Sequence, residues 1–373
     1  MLFAGGSGAS DAVAGSAAMT GTGAPLDLAF GVVSPSDDVE GEAAVSVAAT
    51  VGACAASCPA PPQSHESIVE EFCTISRLIM SSQLLHVPSR SAVIVKCPFS
   101  GGQPRKGVET APAAMDAAAI TDQVRQLGWD ASEDDSIDWK RIADIEANDE
   151  PIGKMKNPRS VSEAARNVFD VVAAVAKSGK LPVTLGGDHS LGLGTVTGVA
   201  RAHPEAAVIW VDAHADINTP ETTPSGNLHG CPMSFALGLE GTYAGPFKEW
   251  LPNPPVADFH RLVYIGLRDI DEGERKILRE HHIKAFTMHH VDKYGIGRVV
   301  EMALDHVNGN TSRRDRPIHL SFDVDAMDPT VAPSTGTPVR GGLTFREGHY
   351  ICEAIYETGA LVGLDRACLL TSC

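Results

Sequence analysis

The sequence predicts an α/β fold built on a mainly parallel β-sheet. Three observations carry that prediction: short apolar runs such as Val208-Ile209-Trp210-Val211, helical stretches between them, and polar clusters at the carboxyl ends of the runs. A run apolar at every position reads as a strand buried on both faces, the signature of a parallel sheet flanked by helices. Open sheets of this kind bind ligands outside the carboxyl ends of their strands.

A chain of 373 residues suits one sizeable domain plus extensions. Residues 1–88 read as a low-complexity acidic extension and 89–373 as the folded domain. The first 76 residues contain no Lys or Arg and nine acidic residues, about half of the formal net charge of −17. Their Ala, Gly, Ser and Pro content cannot bury enough apolar surface to offset chain ordering, so disorder is expected to about Pro62, with a helix over 67–85. The acidic balance argues against nucleic acid as a partner, because phosphate binding needs a basic footprint. No apolar stretch approaches the length of a membrane span, and the tail lacks the basic residues of a transit peptide or secretory signal. The expectation is a soluble, cytoplasmic protein. Eight cysteines without a C-x-x-C pair read as reduced thiols.

From the first strand onward the elements follow in order. Residues 91–97 form an opening strand, and the Gly-rich segment 101–107 a loop at its carboxyl end, without the G-K-[ST] ending of a P-loop. Pro112 suits the start of a helix over 113–127. Residues 130–150 are polar and read as a loop with a short strand. Apolar residues at helical spacing, Val168, Val171, Val172 and Val175, mark a helix over 160–178 that Gly179 stops. A strand over 181–185 ends in Gly186-Gly187-Asp188-His189-Ser190, and a crossover helix over 191–203 returns the chain to Val208. Strands over 262–268 and 284–287, helices over 272–282 and 297–307, and a strand from Ile318 toward Asp325 complete the reading. His281, His282, His289 and His290 have no strand-end partners and read as surface residues.

Three strand ends therefore present His189; Asp212, His214 and Asp216; and Asp323 and Asp325. If the extended conformation continues past Val211, its three polar residues point to one side, because strand side chains alternate with period two. Two imidazoles and four carboxylates exceed one tetrahedral ion's needs, and mixed N/O shells rich in carboxylate suit manganese better than structural zinc. Two ions sharing carboxylates make hydroxide available near neutral pH. The residues thus read as a dinuclear metallohydrolase.

In order and spacing, Gly186-Gly187-Asp188-His189-Ser190, Asp212-Ala213-His214-Ala215-Asp216, Ser225-Gly226-Asn227-Leu228-His229-Gly230 and Ser321-Phe322-Asp323-Val324-Asp325 with Asp328-Pro329 resemble the ureohydrolase superfamily, specifically the arginases. The resemblance runs from about Ala92 to Asp365. It implies a three-layer α/β/α sandwich, two Mn²⁺ ions and hydrolysis of L-arginine to L-ornithine and urea. It places one ion on His189, Asp212, Asp216 and Asp323, and the other on Asp212, His214, Asp323 and Asp325. It makes Asp216 the group that passes a proton to the leaving amine and His229 the proton shuttle. It assigns Asn218, Ser225 and Asn227 to the substrate α-carboxylate, Asp271 and Glu274 to the α-ammonium, and Thr337 to the guanidinium side. Residues that read an α-carboxylate favour arginine over agmatine. A homotrimer is also implied.

One stretch departs from the resemblance. Arginases carry a guanidinium-orienting glutamate three residues after the aspartate that matches Asp365; here Cys368 stands there, and the final helix and tail do not follow. The expectation is a truncated or alternatively spliced product, with Arg366 placed where a buried strand wants an apolar residue. Two readings follow: an arginase compromised at its carboxyl end, or a metal-binding but silent arginase-like subunit that regulates or co-assembles with a complete copy.

Overall fold

A computed structural model describes residues 84–255, 257–309 and 314–368. The expected disorder of the tail and most of the helix expected over 67–85 lie outside the described residues. Where the described chain begins, the Leu85 N–H donates to the Gly359 carbonyl at 2.7 Å, and His86 Nε2 meets the Asp315 carbonyl at 2.7 Å.

Eight strands, β1 (Ser91–Cys97), β2 (Asp130–Asp134), β3 (Leu181–Gly186), β4 (Ala207–Val211), β5 (Leu262–Leu267), β6 (Lys284–Thr287), β7 (Ile318–Asp323) and β8 (Leu361–Ala367), form one sheet in the order β2-β1-β3-β8-β7-β4-β5-β6. Every pairing is parallel. Alternate residues feed two separate cores, which is why the central strands read as unbroken apolar runs. Ile94, Ile209, Val211, Val263 and Ile265 pack on one face with helices Ala111–Ala117, Ile120–Gln126, Ile296–Val307 and Phe345–Glu357. Val93, Val95, Val208, Trp210 and Tyr264 pack on the other with helices Pro158–Lys177 and Gly192–Ala202. The result is the α/β/α sandwich. β2 and β6, which carry exposed and charged positions, are the edges.

Several expectations change. The helix expected over 113–127 is two helices, broken where Ala119 takes a left-handed φ of 55°. In an unbroken helix Met115 and Ile120 would lie about 140° apart around the axis; the break returns both to one core. The polar segment 130–150 holds helix Trp139–Glu146 as well as β2. The Asp138 side chain caps that helix, and its buried face includes Ile142. Helices Pro232–Ala236, Met288–Tyr294 and Phe345–Glu357 have no counterpart in the sequence reading. The last begins with a capping box of Thr344 and Glu347. β3 and β4, joined by helix Gly192–Ala202, are parallel but not neighbours, because β8 and β7 lie between them.

The extended conformation also stops earlier than expected. β4 ends at Val211 and β7 at Asp323, and Asp325 sits in a short 3-10 turn, Val324–Ala326. The side chains beyond these strands are therefore aimed by loop geometry and not by strand alternation.

Candidate metal centre

The ends of β3, β7 and β4 bring the six expected ligands together. His189 follows a close approach that needs glycine: a Cβ on Gly187 would stand 1.8 Å from the Phe99 carbonyl oxygen. Asp212 leaves β4, and Asp216 turns back toward His189 through a left-handed φ of 49°. Asp323 and Asp325 arrive from β7.

His189 Nδ1 lies 3.0 Å from Asp212 Oδ2, 3.1 Å from Asp216 Oδ2 and 3.1 Å from Asp323 Oδ2. One ring nitrogen carries at most one hydrogen and cannot satisfy three carboxylates. Donor atoms at right angles around an ion with bonds near 2.1 Å stand about 3.0 Å apart, so this spacing matches a coordination shell. A second group comprises Asp212, His214 and Asp325. There His214 Nδ1 is 3.4 Å from Asp212 Oδ1 and 3.1 Å from Asp325 Oδ2. Asp212 thus presents Oδ2 to the first group and Oδ1 to the second. Asp323 falls with the first group, whereas the resemblance shares it between both.

The charge balance fits the same reading. Burial and the Asp212 carboxylate hold the Asp216 carboxyl well above its ordinary range. Burial, with Asp323 and Asp212, pushes Asp325 up to about 7. Burial opposes a charge on His214, yet the Asp212 and Asp325 carboxylates override it and raise the imidazole to about 12. So many buried carboxylates want more positive charge than two imidazoles supply, and divalent cations supply it. The residues present fit a pair of metal ions.

A cleft of about 190 Å³ opens beside the cluster, lined by His214 and Asp216, by the expected proton shuttle His229 and by every substrate-contact residue expected from the sequence: Asn218, Ser225, Asn227, Asp271, Glu274 and Thr337. The Asn218 amide donates to Asp271 Oδ2 at 2.6 Å and is fixed on its other side by the Thr222 hydroxyl, which donates to Asn218 Oδ1 at 2.7 Å. Ser225 is exposed, and its hydroxyl accepts from the Asn227 N–H at 3.2 Å. Glu274 is buried and accepts from the backbone of Asp271 and Ile217. Burial and the Asp271 carboxylate push its pKa up to about 7. Burial and the charge of His214 push the His229 imidazole down to about 4. Thr337 Oγ1 donates to Asp325 Oδ2 at 2.8 Å, tying the cleft to the second group. The His281 ring stacks on Phe259 and His290 joins the cap of its own helix, so neither histidine pair joins the cluster.

Sequence reasoning missed the buried support beneath His189. His189 Nε2 meets Ser321 Oγ at 2.8 Å, and that hydroxyl donates to Asp365 Oδ1 at 2.8 Å. Asp365 also accepts from Thr195 at 2.6 Å and faces His319 Nε2 at 2.8 Å. Burial opposes its charge, but these imidazole partners hold the carboxyl well below the usual range. The available signal was a polar residue inside each of two buried strands, Ser321 in β7 and Asp365 in β8. Cys368 emerges from β8 with a φ of 63°, and its N–H donates to the Gly187 carbonyl at 2.8 Å. Burial and the Asp323 and Asp325 carboxylates hold its thiol well above the ordinary range. Arg366 is buried, as its place in the strand foretold.

The model of the arginase family matches residues 90–370. An arginase of Glaciozyma antarctica is 58% identical over 287 residues, covering 76% of this chain and 81% of that relative. One from Neurospora crassa is 51% identical over 292 residues, covering 77% and 80%. Among solved structures, the cold-adapted arginase of Glaciozyma antarctica superposes with a TM-score of 0.61 at 50% identity, covering 78% of this chain and 90% of that one. The Entamoeba histolytica arginase in complex with L-ornithine gives a TM-score of 0.66 at 30% identity, covering 75% and 91%. With this fold, this strand-end cluster and these relatives, the chain belongs to the arginase family.

Proposed function

We propose that this chain hydrolyses L-arginine to L-ornithine and urea at a dinuclear manganese centre. The observation that carries the reading is the convergence of three carboxylates on His189 Nδ1, with Asp212 turned to a second group beside a polar cleft. His189, Asp212, Asp216 and Asp323 would hold one ion, and Asp212, His214 and Asp325 the other. When bound, two such ions activate water near neutral pH and stabilise charge developing at the guanidinium carbon.

The chain's own groups supply binding and proton handling. Asp216, a buried carboxyl of the first donor group that also lines the cleft, would pass a proton to the leaving amine. His229, half-buried at the wall of the cleft, would exchange protons between cleft and solvent. Asn218, Ser225 and Asn227 would offer donors to an α-carboxylate, while Asp271 and Glu274 would offer carboxyl oxygens to an α-ammonium. This end selects an amino acid over its decarboxylated amine, because donors left unpaired in a cleft are costly. The Thr337 hydroxyl borders the guanidinium end. A cytoplasmic location, assembly as a trimer and a domain boundary near residue 88 belong to the same reading.

The thiol of Cys368 near Asp323 favours the second reading, a metal-loaded but silent subunit, since no carboxylate stands there for the guanidinium. Urea release by the purified chain, loaded with two Mn²⁺ and given arginine, separates the two. Turnover supports hydrolysis; two bound ions with no urea support the silent subunit.

A further inference from the structure

The two donor groups are supported differently. The first gathers around His189, which Ser321 and Asp365 support from beneath. In the second, His214 lies on a loop after β4 and Asp325 in the turn after β7. On the dinuclear reading above, we propose that Arg268 is the positioning residue that joins these two segments and so sets the affinity of the second ion.

Arg268 holds one segment with its backbone and the other with its side chain. Its N–H donates at 2.9 Å to the carbonyl of Ala213, the residue between Asp212 and His214. Its Nη2 donates to the carbonyl of Asp325 itself at 2.6 Å and to that of Met327 at 3.2 Å, and its Nη1 to that of Ala326 at 3.1 Å. Nη2 also reaches the Val339 carbonyl at 2.7 Å, on the chain that leads away from Thr337. The Ala213 N–H closes the circuit by donating to Asp325 Oδ1 at 3.2 Å. The fit is close: a Cβ on Gly342 would stand 2.6 Å from Nη2.

Only a guanidinium performs this task. Its five N–H groups lie in one rigid plane and can serve carbonyls from two segments together, whereas an ammonium offers three donors at a single point. Charge alone is therefore insufficient. No ligand atom comes from Arg268, which acts through the backbone of Asp325 and the loop of His214.

The test is titration of the metal-free full chain with Mn²⁺, reading stoichiometry, the two dissociation constants and the electron paramagnetic resonance signal of a coupled ion pair. For wild type, two ions and a coupled signal are expected. In R268K, which keeps the charge, and in R268M, which removes the donors, the first ion binds as in wild type. The second weakens by tenfold or more, the scale of lost outer-shell support, and the coupled signal gives way to that of an isolated ion. If R268M does not fold, R268K decides alone. A folded R268K with unchanged second affinity, or with both ions weakened equally, overturns the proposal, as does an R268K that fails to fold. A wild-type chain that takes up fewer than two ions defeats the dinuclear reading itself, and this inference with it.

Discussion

Trp210 lies on His189 with ring centroids 4.0 Å apart and 19° between the planes, and its Nε1–H donates to Asp212 Oδ2 at 2.9 Å. One buried indole therefore orients a member of the first donor group by stacking and another by a charge-assisted hydrogen bond. W210F keeps an aromatic face and loses the donor. It is expected to weaken the first ion about tenfold while leaving the helix and strand content unchanged, as read by metal titration and circular dichroism. Unchanged affinity would deny the indole any part in the site.

Removing the ions should expose the strain of packing these carboxylates together. Chelation is expected to lower the melting temperature, and Mn²⁺ at about one hundred times its dissociation constant to restore about 2.7 kcal/mol, or on the order of 5–10 °C in a domain of this size. A melting temperature indifferent to chelator and to added Mn²⁺ would count against a metal centre.

Glu274 makes the metal-free protein sensitive to pH. Its folded pKa, about 7, lies above the ordinary 4.5 because of burial and the Asp271 carboxylate. Between these values the unfolded chain releases this proton while the folded chain keeps it, so stability is present at low pH and falls as pH rises from about 4.5 to about 7. The contribution is at most on the order of 3 kcal/mol. E274Q should lessen the measured slope, to which the raised Asp325 carboxyl also contributes, as followed by urea unfolding at pH 5 and pH 7. A slope equal to wild type would place the titration elsewhere.

Cys368 stands where the family resemblance expects a guanidinium-orienting glutamate, and substitution there tests that expectation. C368E is expected to raise kcat/KM for arginine by tenfold or more, the scale of one hydrogen bond between charged partners, and C368S to leave it near wild type. If C368E binds two ions and gains nothing, the missing carboxylate is not what limits turnover.

Much of this molecule is determined by local pattern. The unbroken apolar runs specified the parallel sheet, because a strand covered by helices on both faces has no solvent side to tolerate polar residues. The abrupt change to His and Asp beyond Leu185 and Val211 marked the functional end for the same reason. Polarity misled where a helix faces solvent, as at Trp139–Glu146, whose charged surface resembles a loop.

Tertiary structure decided what depends on strand order. Nothing local to Asp365 reveals that β8 lies between β3 and β7, which brings its carboxylate under Ser321 and His189. The sorting of six ligands into two groups required the strands to end where they do, with Asp216 turned back by its left-handed backbone. Arg268 reads as an ordinary strand-end cation until folding sets the carbonyls of Asp325, Ala326 and Met327 around it. Hydrophobic periodicity is a property of neighbours in sequence, whereas the partners of a buried polar group are chosen by packing between segments far apart in the chain.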